Sequence, residues 1–316
     1  MVLDMFTTMK GSLLNDFYPQ GWDLKKLDDC CQNTWEDLAV RQDFWHKDFN
    51  AVPVNTTEEF AIIVGHEMAK RILTAGKEGR KIAFILPVGP VRQYDWCVFF
   101  LRQWQVKCDH VYGFAMDDWA DADGNEAGVF GPQLDRVFYE KLGELTVPVQ
   151  QRNAATKQNL PTYAEKIEAL KAEGAKLITV HGIGRALRPA FCEPGFAADF
   201  DNVEAYMKET YRLGAELHPL TIMENSFTTY RGNFTAMPCY ANTVTMGMLL
   251  KSDEMIGGCS SDLSPADANW QGMGVWATLR YGPDMWVPCS FIPAVPGKFY
   301  AVKAVCDTKK PYVPVP

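Results

Sequence analysis

The sequence contains no apolar run near the roughly 20 residues that cross a bilayer, so no membrane-spanning helix is expected. It contains no Cys-x-x-Cys, and no Cys/His spacing that would hold zinc. Its nine cysteines, at 30, 31, 97, 108, 192, 239, 259, 289 and 306, are odd in number and scattered, which reads as reduced thiols rather than a disulfide framework. Basic residues are in deficit. Against 39 Asp and Glu stand 31 Lys and Arg, a formal charge of -8, which excludes a nonspecific nucleic-acid surface built on clustered cations. There is no internal repeat and no low-complexity tract. Near the start, Asp4 and the want of an apolar core segment argue against a secretory signal. The expectation is a cytoplasmic protein with no metal and no cofactor, and with neither membrane nor nucleic acid as partner.

What is present is a composition suited to a large core: 47% hydrophobic and 22% charged residues in 316. Residues 1–55 form one region, an aromatic-rich arm in which Trp22, Trp35, Phe44, Trp45 and Phe49 sit among charges and Pro53 closes the stretch. Such an arm packs on its own domain or on a second subunit. From 56 to 316 the pattern is that of a single α/β domain. Phe60, Ile63, Val64 and Met68 mark an amphipathic helix, and Lys81 to Pro87 is a buried-strand run. A helix follows to Leu101, then a strand from Cys108 to Met116, a helix from Pro161 to Ala172 and a strand from Lys176 to Val180. Leu220 to Met223 reads as a short strand flanked by His218 and Glu224, Thr243 to Leu250 as an apolar segment, and the tail from Pro311 as extended chain. Strands alternating with helices predict a doubly wound, Rossmann-like α/β fold: a mostly parallel sheet with helices on both faces, plus the N-terminal helical arm. In such sheets ligands bind beyond the carboxyl ends of the strands, which points to residues 87–92, 114–119 and 181–195.

Two of those loops carry chemistry. Asp117 and Asp118 end a strand, and adjacent carboxylates repel, which raises the pKa of one toward the range of a general base. The alternative for an Asp in this position is to cap the next helix or sit in a turn. Gly182-Ile183-Gly184 lets backbone N–H groups approach a ligand, but the third glycine of a dinucleotide fingerprint is missing. His181 precedes it at the strand end. Trp119, Tyr230 and Tyr240 are placed either to stack on a sugar ring or to pack in the core.

Four segments, in order, resemble the glucosamine-6-phosphate isomerase/deaminase family. Phe114-Ala115-Met116-Asp117-Asp118-Trp119 is similar to its Phe-Asn-Met-Asp-Glu-Tyr loop, and His181 through Pro194 to its Gly-Gly-x-Gly-x-Asp-Gly-His-Ile-Ala-Phe-Asn-Glu-Pro motif. Asn242 through Leu250 resembles its Ala-Leu-Thr-Val-Gly-x-Gly-x-Leu-Leu segment, and Leu86-Pro87-Val88-Gly89-Pro90 falls where it has a phosphate loop. The resemblance implies an enzyme in which Asp117 moves a proton between sugar carbons and Glu193 is the second acid. Asp118 stands beside Asp117 in place of a glutamate. Arg188 occupies the place of the ring-opening histidine, and Ala186 that of its preceding aspartate. A guanidinium stays protonated and does not shuttle a proton as an imidazole does. Substrate contacts fall to Val88, Gly89, His181, Gly182 and Gly184, with Arg92 and Arg231 as stand-ins for a phosphate-binding arginine replaced by Phe227. The implied partner is a small-molecule sugar or sugar phosphate, and the implied assembly a homo-oligomer. Two other readings are a non-catalytic sugar-binding protein and a sugar lactone hydrolase.

Overall fold

The structure, a computed structural model, describes residues 5–260 and 270–308; the tail expected to be extended lies outside them. Ten strands are present among the described residues: β1 (Phe49–Val54), β2 (Ile82–Leu86), β3 (Val111–Ala115), β4 (Asp117–Ala120), β5 (Arg152–Asn153), β6 (Lys176–Gly182), β7 (Tyr211–Glu216), β8 (Tyr240–Val244), β9 (Glu254–Cys259) and β10 (Gly297–Val302). Seven make one sheet in the order β1-β10-β9-β6-β2-β3-β5, and every neighbouring pair in it is parallel. All five residues of β2 are buried. That explains its unbroken apolar run, because a strand covered on both faces has no solvent side to alternate toward.

The chain runs β2, β3, β5 toward one edge, then returns to place β6 on the other side of β2. With right-handed crossovers, this reversal sends the connecting helices to opposite faces and opens a crevice between β2 and β6. The Thr57–Lys77 helix illustrates the local logic. The Thr56 hydroxyl accepts the Glu59 N–H at 3.0 Å to start it, and Phe60, Val64, Met68 and Ile72, four apart, form its buried stripe.

Two features depart from the sequence reading. The chain leaves the main sheet at Met116 and starts a small antiparallel sheet, β4-β8-β7, at Asp117, which pairs with Thr243. Leu220 to Met223 is not a strand. It lies inside the Pro219–Tyr230 helix, with His218 as N-cap accepting from the Leu220 N–H and Pro219 at the first helical position, where its missing N–H costs nothing.

The aromatic stretch packs on its own chain. Trp22 Nε1 donates to the Trp286 carbonyl at 2.7 Å and Trp45 Nε1 to the Leu279 carbonyl at 3.2 Å. Little of it is helical beyond Leu24–Cys30, and its last residues are β1, the edge strand beside β10. No helix among the described residues is long and apolar enough to cross a membrane.

Candidate active site

A cavity of about 420 Å³ opens where the switch in strand order predicts a crevice. Its walls are residues 87–91 after β2, Met116 and Asp117 after β3, and Gly182, Gly184 and Arg188 after β6. Glu224, Asn225 and Thr228 of the Pro219–Tyr230 helix, Phe130, and Trp270 with Gln271 close it. Gly182 is needed here: a Cβ would stand 2.9 Å from Pro90 Cδ, so glycine lets the β2 loop lie across the end of β6. A Cβ on Gly184 would come within 3.0 Å of both the Arg188 guanidinium carbon and Glu224 Oε2.

Asp117 is 7% exposed and faces this cavity. Among the described residues no donor reaches its carboxylate with a hydrogen bond. Burial pushes its pKa up to about 7; the nearby Arg188 guanidinium opposes the rise and the neighbouring Asp118 adds to it. A carboxylate that titrates near neutrality, with no hydrogen bond from the described residues, has the chemistry to accept a proton from a ligand.

Asp118 points elsewhere. It accepts the Val129 N–H at 3.0 Å and the Phe130 N–H at 3.1 Å, so it fixes the entry to the Phe130–Leu134 helix rather than lining the cavity. Burial raises its pKa and those backbone donors oppose the rise. The capping alternative describes it, and its chemistry is structural. Replacing Asp118 with alanine is expected to cost about 1.5–3 kcal/mol, the usual range for hydrogen bonds to a charged group. Because Phe130 is a cavity wall, a raised KM with little change in kcat should accompany the fall in denaturation midpoint.

Arg188 is buried and ringed by acceptors. Its Nε lies 3.3 Å from Glu193 Oε1 and one terminal nitrogen 3.7 Å from Glu224 Oε2. That nitrogen also donates to Thr221 Oγ1 at 3.2 Å, and the other donates to the Ala190 carbonyl. The loop that holds it is strained: Leu187 and Ala190 adopt left-handed φ values of 56° and 49°. Each such position costs on the order of 1–3 kcal/mol, and the Cys289 N–H on the Leu187 carbonyl at 2.9 Å helps hold the first.

Glu193 sits behind Arg188, away from the cavity wall. It accepts from the Thr221 hydroxyl at 2.8 Å and the His218 N–H at 3.3 Å. The sequence reading made Glu193 the second acid at the substrate. In the structure the second carboxylate on the cavity is Glu224, which also accepts the Arg185 N–H at 3.1 Å. Burial raises the pKa of both glutamates, with Arg188 as the chief opposing influence. Reading Leu220 to Met223 as a strand makes Glu224 only a weaker candidate at its end; the His-Pro start of a helix is the signal that turns it toward the cavity.

The remaining expectations divide. Val88, Gly89, Gly182 and Gly184 line the cavity; Arg92 and Arg231 do not. Arg92 lies 3.5 Å from Glu58 at the surface, and Arg231 is the left-handed C-cap of the Pro219–Tyr230 helix. His181 turns away from the cleft. In register, His181, Gly257 and Phe299 form a row across β6, β9 and β10, and over the bare glycine the two rings stack with centroids 6.1 Å apart. Among the described residues neither ring nitrogen has a hydrogen-bond partner, and burial pushes the pKa down to about 3, so the imidazole stays neutral. Trp119 is fully buried against Phe130 and Tyr230, a packing role. Among the described residues no group of three or more His, Cys, Asp or Glu is arranged to hold a metal.

No protein-family model matches the chain, and no curated protein matches it in sequence. Solved structures do match in shape. A structure described as a monomeric glucosamine-6-phosphate deaminase superposes with a TM-score of 0.61 at 15% identity, over 81% of this chain and 99% of that one. A 6-phosphogluconolactonase from Trypanosoma cruzi gives 0.55 at 14% identity, over 82% and 96%. Another from Leishmania guyanensis gives 0.52 at 11%, over 83% and 98%. The chain therefore has the fold that these sugar-phosphate deaminase and lactonase structures share.

Proposed function

We propose that this chain is an enzyme that transfers a proton within a sugar-type substrate, with Asp117 as the base, in the manner of an isomerase or deaminase. The observation that carries the reading is a buried carboxylate on a cavity wall, titrating near pH 7, with no hydrogen bond from any of the described residues. A purely structural Asp at such depth is normally satisfied by donors, as Asp118 is next to it. The likeness in fold to a deaminase supports the class of reaction. Arg188 limits it: held by two glutamates and permanently charged, it stabilises a developing negative oxygen but does not return a proton to a ring oxygen. The substrate is therefore read as one that reacts in its open-chain form.

A second reading, hydrolysis of a sugar lactone, draws on that same guanidinium, because lactone opening needs a water-activating base and no ring-opening acid. The two part on product. In heavy water, the first reading expects deuterium to enter carbon 2 of an aldose, followed by proton NMR. Exchange should fall about tenfold per pH unit below about 7, as Asp117 takes up its proton, and level off above. Acid release from a lactone without exchange selects the second reading. Binding of sugars with neither outcome rejects both and leaves a non-catalytic sugar-binding protein.

A further inference from the structure

A second cleft, of about 290 Å³, lies at the other end of the sheet from the candidate active site. It opens at the amino-terminal ends of β2, β6, β9 and β10, against the Thr57–Lys77 helix. Glu67, Lys70, Arg71 and Thr74 are spaced by three and four, so they share the helix face that lines it. On the sheet side, Lys176 and Ile178 of β6 rise on the same face as Glu254 of β9, the register partner of Ile178. That register sets the Lys176 Cα roughly 8 Å from the Glu254 Cα. Glu254 in turn holds Arg71, accepting from Nε at 2.7 Å and from Nη2. Helix and strand thus bring Lys70, Arg71 and Lys176 to the rim of one space. A sphere of its volume is roughly 8 Å across, a span that the flexible four-carbon stems of two lysines close from either side.

The charges of this cleft do not cancel. Its lining carries Lys70, Arg71, Arg80, Lys81, Lys176 and Lys298 against only Glu67 and Glu254. Arg71 and Lys298 balance those two acids, with Lys298 Nζ 2.8 Å from Glu67. Arg80 and Lys81 pair outside the lining, with Glu78 and Glu173. Lys70 and Lys176 are exposed and have no ion pair or hydrogen bond among the described residues, so two positive charges are left over. Neutral donors are left over too. Bonds to Glu254 and to the carboxylate and carbonyl of Glu67 take four of the five Arg71 N–H groups. The fifth, on Nη2, and the Thr74 hydroxyl have no acceptor among the described residues. Lysines scattered on a convex surface are simply solvated; these two border a concavity beside a guanidinium that two carboxylates hold still.

We infer that this cleft binds a phosphate dianion, free or as a small ester, between Lys70 and Lys176, with Arg71 and Thr74 as further donors. A phosphate monoester carries about -1.5 to -2 at pH 7, which matches the two uncompensated charges, and its three outer oxygens accept from several donors at once. A carboxylate would supply half that charge. The site is separate from the proposed catalysis and does not depend on it.

Titration with inorganic phosphate and with glycerol 1-phosphate at pH 8 and constant ionic strength, followed by amide NMR shifts of the whole chain, tests this. At least one of the two should saturate with a Kd of about 1 mM or tighter. Lys70→Gln and Lys176→Gln should each weaken binding about threefold to tenfold, and the double variant by at least about tenfold. The tighter probe tells a free ion from an ester as the source, and either preference carries the inference. Saturable binding that survives the double substitution puts the anion elsewhere, the candidate active site included, and overturns it. Shifts that never saturate in the wild type overturn it as well. Both lysines are exposed, so the variants should melt with the wild type in chloride, and either single variant serves if the double one fails to fold. Proton exchange by Asp117 is measured apart from this, so each reading falls without the other.

Discussion

Asp117→Asn is expected to lower turnover by about 10²–10⁴-fold, the usual contribution of a positioned general base, and at the same time to make the protein harder to unfold at pH 8. The second half follows from linkage. Folding raises the Asp117 pKa from 3.8 to about 7 because burial removes the solvent that stabilises its charge, an effect that Arg188 opposes and Asp118 adds to. A raised folded pKa contributes stability that is complete below the unfolded value and is lost as pH climbs through the folded one. Above about pH 7 the wild type therefore carries a penalty of about 4 kcal/mol for keeping this charge inside. Asparagine does not ionise and escapes it. The two proteins should melt together near pH 4 and separate by several degrees at pH 8, the variant being the more stable. A carboxylate placed only for architecture would show the opposite, with stability lost and turnover little affected. Paired melting curves at the two pH values, with the exchange assay, decide between them.

Arg188→Met should be the most damaging single change to the fold. It removes the one positive charge between Glu193 and Glu224, leaving two buried carboxylates facing a thioether. Breaking a buried ion pair by deleting one partner typically costs about 3–5 kcal/mol, more than the whole pair contributes in net terms. The sign of its pH dependence is fixed by the same geometry. Both glutamates already have raised pKa values, and loss of the guanidinium raises them further. The variant should thus stay closest to wild type in acid, where the carboxyls are protonated, and lose stability as pH rises toward 8. Urea midpoints at pH 5 and pH 8 measure this. Adding Glu193→Gln should recover part of the loss, because one uncompensated charge disappears. Equal destabilisation at both pH values would mean that Arg188 matters for its packing against Phe191, 4.7 Å away, and not for its charge.

Much of this arrangement was written in local patterns. The five apolar residues of β2, the glycines after β6 and the Asp117 position follow from strand burial and from the rule that parallel sheets put chemistry at their carboxyl ends. Other parts depended on three-dimensional partners with no sequence signature. Thr221, Glu224 and Thr228 share one face of a helix at intervals of three and four, but that face is polar because Thr221 meets Arg188 and Glu193 while Glu224 and Thr228 line the cavity, so apolar periodicity passes over it. His181 was misplaced because alternation along β6 sets it opposite Gly182; with the glycine facing Pro90 beside the cavity, the histidine goes to the other face. Asp117 and Asp118 are the instructive pair. Identical in type and adjacent in sequence, they part because β4 starts between two environments, one rich in backbone donors and one empty of them.

The edge of the main sheet has a consequence for how the molecule comes into being. Among the described residues β1 finds its only neighbour in β10, and Trp22 and Trp45 find hydrogen-bond partners at Trp286 and Leu279, so these segments wait for ones translated more than 200 residues later. About 250 residues separate Phe49 from its register partner Gly297. At roughly 5–20 residues per second, that interval leaves tryptophans and a strand edge uncovered for on the order of 10–50 s. Biosynthesis, more than the finished fold, is where this chain is exposed to aggregation and has most use for a chaperone.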